Sequence, residues 1–150
     1  MLGNAEGGIN SLFNGQETAL MNHASGSFEV KLNPQEDAVG DKSVGRMALD
    51  KQFHGGLEAT SRGQMLAAMT EVEGSAGYVA IERVSGTLEG HSGSFALQHS
   101  GTMTRGVPQL TITVVPDSGT GDLVGLVGSM TIDIVEGKHS YDFAYTIKGQ

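Results

Sequence analysis

Ser129-Met130-Thr131-Ile132-Asp133-Ile134, a turn at Glu136-Gly137-Lys138, and Tyr141-Asp142-Phe143-Ala144-Tyr145-Thr146-Ile147 form the stretch that decides the fold. Both runs alternate apolar and polar residues. A period of two sends successive side chains to opposite faces of a half-buried strand. A glycine-containing turn between two such runs reads as a hairpin, so the strands are antiparallel neighbours. The same pattern extends back along the chain. Leu110-Thr111-Ile112-Thr113-Val114-Val115 is the most β-branched run, a composition that suits a pleated surface. Before it stand Ser94–Thr104, Tyr78–Leu88, Leu57–Thr70, Met47–Phe53 and Ser27–Leu32, separated by turn-forming residues such as Gly90-His91-Ser92-Gly93 and His54-Gly55-Gly56.

That makes eight short strands, with no helix-period segment of about 12 residues between them, which excludes parallel βαβ folds. The predicted class is all-β: an antiparallel eight-stranded closed barrel. A two-sheet sandwich is the alternative, and closure is favoured because it removes exposed sheet edges. The 150 residues suffice for one domain, and 23 glycines against 3 prolines fit many turns. The predicted barrel domain spans 23–150. Residues 1–22 are rich in Gly and Asn without apolar period and read as an extension, flexible or with a short helix over Asn10–Met21. Met21 is a candidate start.

Composition narrows the partners. Nine Lys and Arg against 17 Asp and Glu give a net charge of −8, the wrong sign for neutralising phosphates or an anionic bilayer. Nucleic acid and membrane are therefore not expected partners. With no cysteine, disulfides, thiolate nucleophiles and Cys-ligated metals are excluded. No signal peptide is visible, and a bacterial cytoplasm is the expected compartment.

The candidate chemistry is sparse. Tyr78, Ala80, Glu82 and Val84 share one strand face; Phe95, Leu97, His99 and Met103 share a face of the next. If Glu82 and His99 both point inward, a carboxylate and an imidazole meet in an apolar lumen, as an acid/base pair requires. Otherwise Val79 and Ile81 point inward, or Glu82 pairs with an arginine such as Arg46. Tyr141, Phe143 and Tyr145 read as inward aromatics, either core or ligand contacts. Val115–Gly125 has a Gly-x-Gly but no following Lys or long helix, so it reads as a loop capping one barrel end rather than a phosphate cradle. His23, His54, His91, His99 and His139 show no ligand spacing, and neither a metal nor another cofactor is expected. His91 and His139 lie near turns and read as solvated.

The stretches Tyr78–Arg83, Gly86–Gly101 and Val115–Gly128 resemble a bacterial family of small uncharacterised proteins that carry a domain-of-unknown-function label, over residues 24–148. The resemblance implies an eight-stranded barrel of the allene oxide cyclase type, calycin-like in shape, and a homo-oligomer, dimer or larger. It carries over no catalytic residue. The leading expectation is a barrel that binds a small apolar or amphipathic ligand through Tyr78, Glu82, Phe95, His99, Tyr141 and Tyr145. One alternative is a cofactor-independent cyclase or isomerase using Glu82 and His99. The other is a structural or oligomerisation module with a filled core.

Overall fold

The computed structural model of the chain describes residues 21–36 and 40–149. Eight strands follow one another: β1 (Asn22–Pro34), β2 (Val44–Gly55), β3 (Leu57–Met69), β4 (Ala76–Leu88), β5 (His91–Thr104), β6 (Val107–Val114), β7 (Leu126–Val135) and β8 (Lys138–Ile147). Each pairs antiparallel with its neighbour in sequence, and β1 closes on β8 to form a barrel. β1 begins earlier than Ser27 because His23-Ala24-Ser25-Gly26 offers only Ala24 as an inward apolar residue and so leaves little alternation to read. The helix considered over Asn10–Met21 falls, but for Met21, outside the described residues.

Local chemistry fixes the hairpins. Glu89-Gly90, Arg105-Gly106 and Glu136-Gly137 each place two consecutive residues at positive φ. That is the two-residue geometry whose twist matches the flanking strands.

The up-and-down order puts the β2–β3, β4–β5 and β6–β7 connections at one end and the remaining hairpins at the other. The first end is plugged. Leu57 and Leu88 face each other across the β3–β4 ladder, and Leu126 faces Ile147; all four are buried. The β6–β7 connection folds back on β5: Ala96 N–H donates to Ser118 Oγ at 3.0 Å and Thr120 N–H to the Ser94 carbonyl at 2.8 Å. A 3-10 turn, Gly121–Leu123, then drives Leu123 into the core. Burying such a side chain is worth about 1.5–3 kcal/mol. The Gly-x-Gly segment thus spends its polar groups on the barrel and caps its end. Further in, Phe95 stacks on Phe143 with centroids 5.7 Å apart, and Phe53 meets Tyr141 edge-on at 5.5 Å.

The second end is open. Residues there keep the inward phase of their strands yet are exposed: Leu32 is 46% accessible, Met103 43%, Leu110 38% and Ile134 58%. The wall also loosens. β6 and β7 are registered only at Ile112↔Met130 and Thr113↔Ser129, so Val107–Thr111 and Thr131–Val135 diverge toward this end. β1 has no β8 partner beyond Phe28↔His139. An open groove of about 490 Å³ lies there, lined by Ser27–Val30 and Gly137–His139.

Candidate functional site

Inward phase on β2 reads Leu49, Lys51, Phe53; on β3 Ala59, Ser61, Gly63; on β4 Ala80, Glu82, Val84; on β5 Leu97, His99. One ionisable or polar residue from each strand therefore points into the same lumen. Glu82 has no exposed surface, and Lys51, Ser61 and His99 are buried around it. Lys51 Nζ donates to Glu82 Oε2 at 2.7 Å, His99 Nε2 to the same oxygen at 2.7 Å, and Ser61 Oγ to Oε1 at 2.8 Å. The Lys51 ammonium also stands 5.2 Å from the Phe28 ring centroid and 5.8 Å from that of Phe53, within cation–π range.

This arrangement decides the protonation state of Glu82. Burial alone pushes its carboxyl pKa up, but the His99 hydrogen bond together with the charge and hydrogen bond of Lys51 overcome that and bring it down to about 2. Glu82 is an ionised carboxylate with both oxygens occupied. With Nε2 held by Glu82, the other ring nitrogen of His99 faces Tyr78, whose hydroxyl lies 3.4 Å from Nδ1. Tyr78 is half-buried, and its pKa is raised by burial and then by the negative charge of Glu82. The result is a polar chain, Lys51–Glu82–His99–Tyr78, running from the buried wall toward the open end.

Two glycines make room for it. Gly63 lies directly across the ladder from Glu82, where a Cβ would stand 2.6 Å from Glu82 Cα and closer still to the Ile81 carbonyl oxygen. Gly101, opposite Tyr78, seats the phenol ring; a Cβ there would overlap it.

Both candidate acid/base residues therefore face inward and touch. Val79 and Ile81 point outward, 52% and 56% exposed, so the reading that buried them is corrected. The cation beside Glu82 is Lys51; Arg46 donates instead to Gln64 Oε1 at 2.8 Å on the outer surface. Tyr78, Glu82 and His99 come together. Phe95, Tyr141 and Tyr145 do not join them. Phe95 packs on Phe143, the Tyr141 hydroxyl donates to the His54 carbonyl at 2.8 Å and accepts from Leu57 N–H at 3.0 Å, and Tyr145 donates to Glu89 Oε1 at 2.5 Å. His91 and His139 are half-buried rather than fully solvated; His139 lies 5.1 Å from the Phe28 ring.

Sequence reasoning missed Lys51 and Ser61. The signal was present: Lys51 sits between Leu49 and Phe53 on an otherwise apolar face. A lysine in that phase must find an anion inside or leave the lumen.

Among the described residues no group of three His, Asp or Glu is placed to hold a metal ion, and no helix is long and apolar enough to cross a membrane. A family model described as "Protein of unknown function (DUF3224)" matches residues 24–145. The chain belongs to the DUF3224 family. A crystal structure of a protein of unknown function from the same family, from Shewanella oneidensis, is 53% identical, with a TM-score of 0.81 over 87% of this chain and 99% of that one. No curated protein matches. The four-residue cluster and the open end thus belong to a DUF3224 barrel whose family label assigns them no role.

Proposed function

We propose that this DUF3224 barrel binds a small amphipathic molecule at its open end, with the apolar part on the exposed inward-phase side chains and the polar part toward Tyr78 and His99. The observation that carries this reading is the inward-phase set Leu32, Met103, Leu110 and Ile134, exposed above a satisfied polar cluster, with Met47 and Met65 half-buried beside them. Three of the six are methionines, whose flexible thioethers adapt to irregular ligands. Phe95, Tyr141 and Tyr145 serve the packed core in this reading. The test is titration with the apolar dye Nile red: saturable, blue-shifted 1:1 binding is expected in the native chain and not in Leu110→Asp or Met103→Asp variants that remain folded. Absence of saturable binding, or equal binding by the variants, overturns it.

A second reading, a cofactor-independent isomerase or cyclase, is favoured by one observation: the 2.7 Å bond from His99 to an ionised Glu82. A carboxylate behind an imidazole orients it for proton transfer. Here Glu82 would position, and His99 with Tyr78 would carry the proton.

Self-association is proposed through the outer face of β3 and β4, where exposed Leu66 and Val79 sit opposite each other beside Ile81. Sedimentation of the native chain against Val79→Lys checks it, a monomeric native chain being the refuting result.

A further inference from the structure

We infer that the open end selects an uncharged polar head, an alcohol or ketone on a medium apolar chain, and rejects carboxylates and ammonium ions, with the Tyr78 hydroxyl as the head-group contact. This rests on the binding reading above and specifies its ligand class. The interior cluster is charge-balanced: the only acid is Glu82 and the lysine is Lys51, joined at 2.7 Å. Both Glu82 oxygens are taken, and no buried side-chain nitrogen or oxygen among the described residues lacks a partner. A carboxylate brought to the Tyr78 hydroxyl would shed water without meeting an unspent cation in this cluster, and an ammonium would do so beside the Lys51 charge. Desolvation of an unpaired charge is far costlier than that of a hydroxyl or carbonyl.

Tyr78 has the unspent capacity that Glu82 lacks. Its hydroxyl contact with His99 is 3.4 Å, longer than a well-made O–H hydrogen bond of about 2.5–3.0 Å, and the residue is half-buried. The hydroxyl can donate to a ketone oxygen, or donate to or accept from an alcohol hydroxyl, without breaking the Glu82 cluster. Its ring lies over Gly101, where any side chain would overlap it. The head-group contact is therefore positioned before a ligand arrives. The other two tyrosines have hydroxyls committed to the closed end of the barrel, to His54 and Leu57 or to Glu89.

The experiment displaces Nile red from the full chain with four eight-carbon probes: octan-1-ol, octan-2-one, octanoate and octylammonium. Octan-1-ol and octan-2-one are expected to compete at concentrations at least about tenfold lower than the two ions. Tyr78→Phe should weaken the alcohol and ketone by about fivefold, the worth of one neutral hydrogen bond, and leave the ions unchanged. Tyr141→Phe, whose hydroxyl lies in the closed half, should leave the ranking intact. Octanoate competing as well as octan-1-ol, or a Tyr78→Phe variant with native affinity for alcohol and ketone, overturns the head-group assignment while the binding reading stands. Failure of all four probes to displace bound Nile red overturns the ligand class, and only absence of saturable Nile red binding overturns both.

Discussion

Replacing Glu82 by Gln keeps the shape of the side chain and removes its charge, leaving the buried Lys51 ammonium without a counter-ion. The cost can be worked by two routes. The carboxyl is held at about 2 against an ordinary value of 4.5, and at 1.36 kcal/mol per unit that is about 3 kcal/mol of stability at neutral pH. Breaking a buried ion pair from one side costs about 3–5 kcal/mol in general, so the two agree. Glu82 has no exposed surface, so solvent does not screen its charge. The sign follows from the depressed value. The stabilisation is complete above pH 4.5 and disappears as pH falls toward 2, where the native residue is itself protonated and resembles Gln. Urea denaturation of native and Glu82→Gln chains at a series of pH values measures this. The gap in unfolding free energy should be about 3 kcal/mol at pH 7 and close progressively between pH 4.5 and 2. A gap below about 1 kcal/mol at pH 7, with an unchanged m-value, would mean that water reaches Lys51 and that the cluster is not buried as described. A gap independent of pH would refute the ionised state of Glu82.

Three further outcomes follow from the same geometry. Lys51→Met removes the cation and one hydrogen bond from Glu82, so the carboxyl pKa should rise from about 2, read by side-chain carboxyl NMR; an unmoved titration would show that His99 alone sets it. Gly63→Ala puts a methyl group within 2.6 Å of Glu82 Cα, so it should destabilise by at least the ~1–3 kcal/mol of core overpacking; calorimetry should show a lowered melting temperature, and a raised one would refute the close approach of β3 to β4. Tyr141→Phe strips the Leu57 N–H of its acceptor at 3.0 Å and should cost about 1–3 kcal/mol, whereas Tyr78→Phe, losing only a 3.4 Å contact, should cost less than about 1 kcal/mol in the same denaturation assay; equal losses would refute the division between a structural and a ligand-facing tyrosine.

The barrel was legible because its evidence is local. The alternation in Ser129–Ile134 and Tyr141–Ile147, with Glu136-Gly137 between them, specifies a hairpin without reference to the rest of the chain. The orientation of Glu82 was only half legible. Val79 and Ile81 offered an apolar set in one phase, Ala80 and Val84 one in the other, and a period of two cannot choose between them. What chooses is the pairing of β4 with β3 and β5, which sets Gly63 and Leu97 directly opposite Glu82. Lys51 and Ser61 were illegible as partners of Glu82 for a different reason. They lie 31 and 21 residues away along the chain, and only the pairing register of β2, β3 and β4 on a curved sheet brings them within 3 Å. The open end escaped sequence reading altogether. Leu110 and Ile134 look like ordinary core residues until the shortness of the β6–β7 ladder leaves them uncovered.

The position of the cluster argues for a role beyond stability. A buried ion pair is seldom more stabilising than apolar residues of the same volume, so a barrel under pressure only to fold would gain by filling the lumen. Inward side chains on β4, taken from the plugged end, are Leu88, Gly86, Val84, Glu82, Ala80, Tyr78 and Ala76. On β4 the large apolar packing stops at Val84, and beyond Glu82 come Ala80, the half-buried Tyr78 and Ala76. The charges therefore sit between the fully buried plug and the exposed inward-phase residues of the open end. Glu82 and Lys51 are balanced and saturated, which suits a rigid floor; His99 and Tyr78 lie on the side facing the opening, which suits contact with whatever enters. A Lys51→Met, Glu82→Leu double variant separates the two roles. It should recover most of the stability lost by either single change, since no unpaired charge remains. It should also weaken the head-group preference, since His99 then loses the Glu82 bond that aims its other ring nitrogen at Tyr78. A double variant that keeps native selectivity would reduce the cluster to packing.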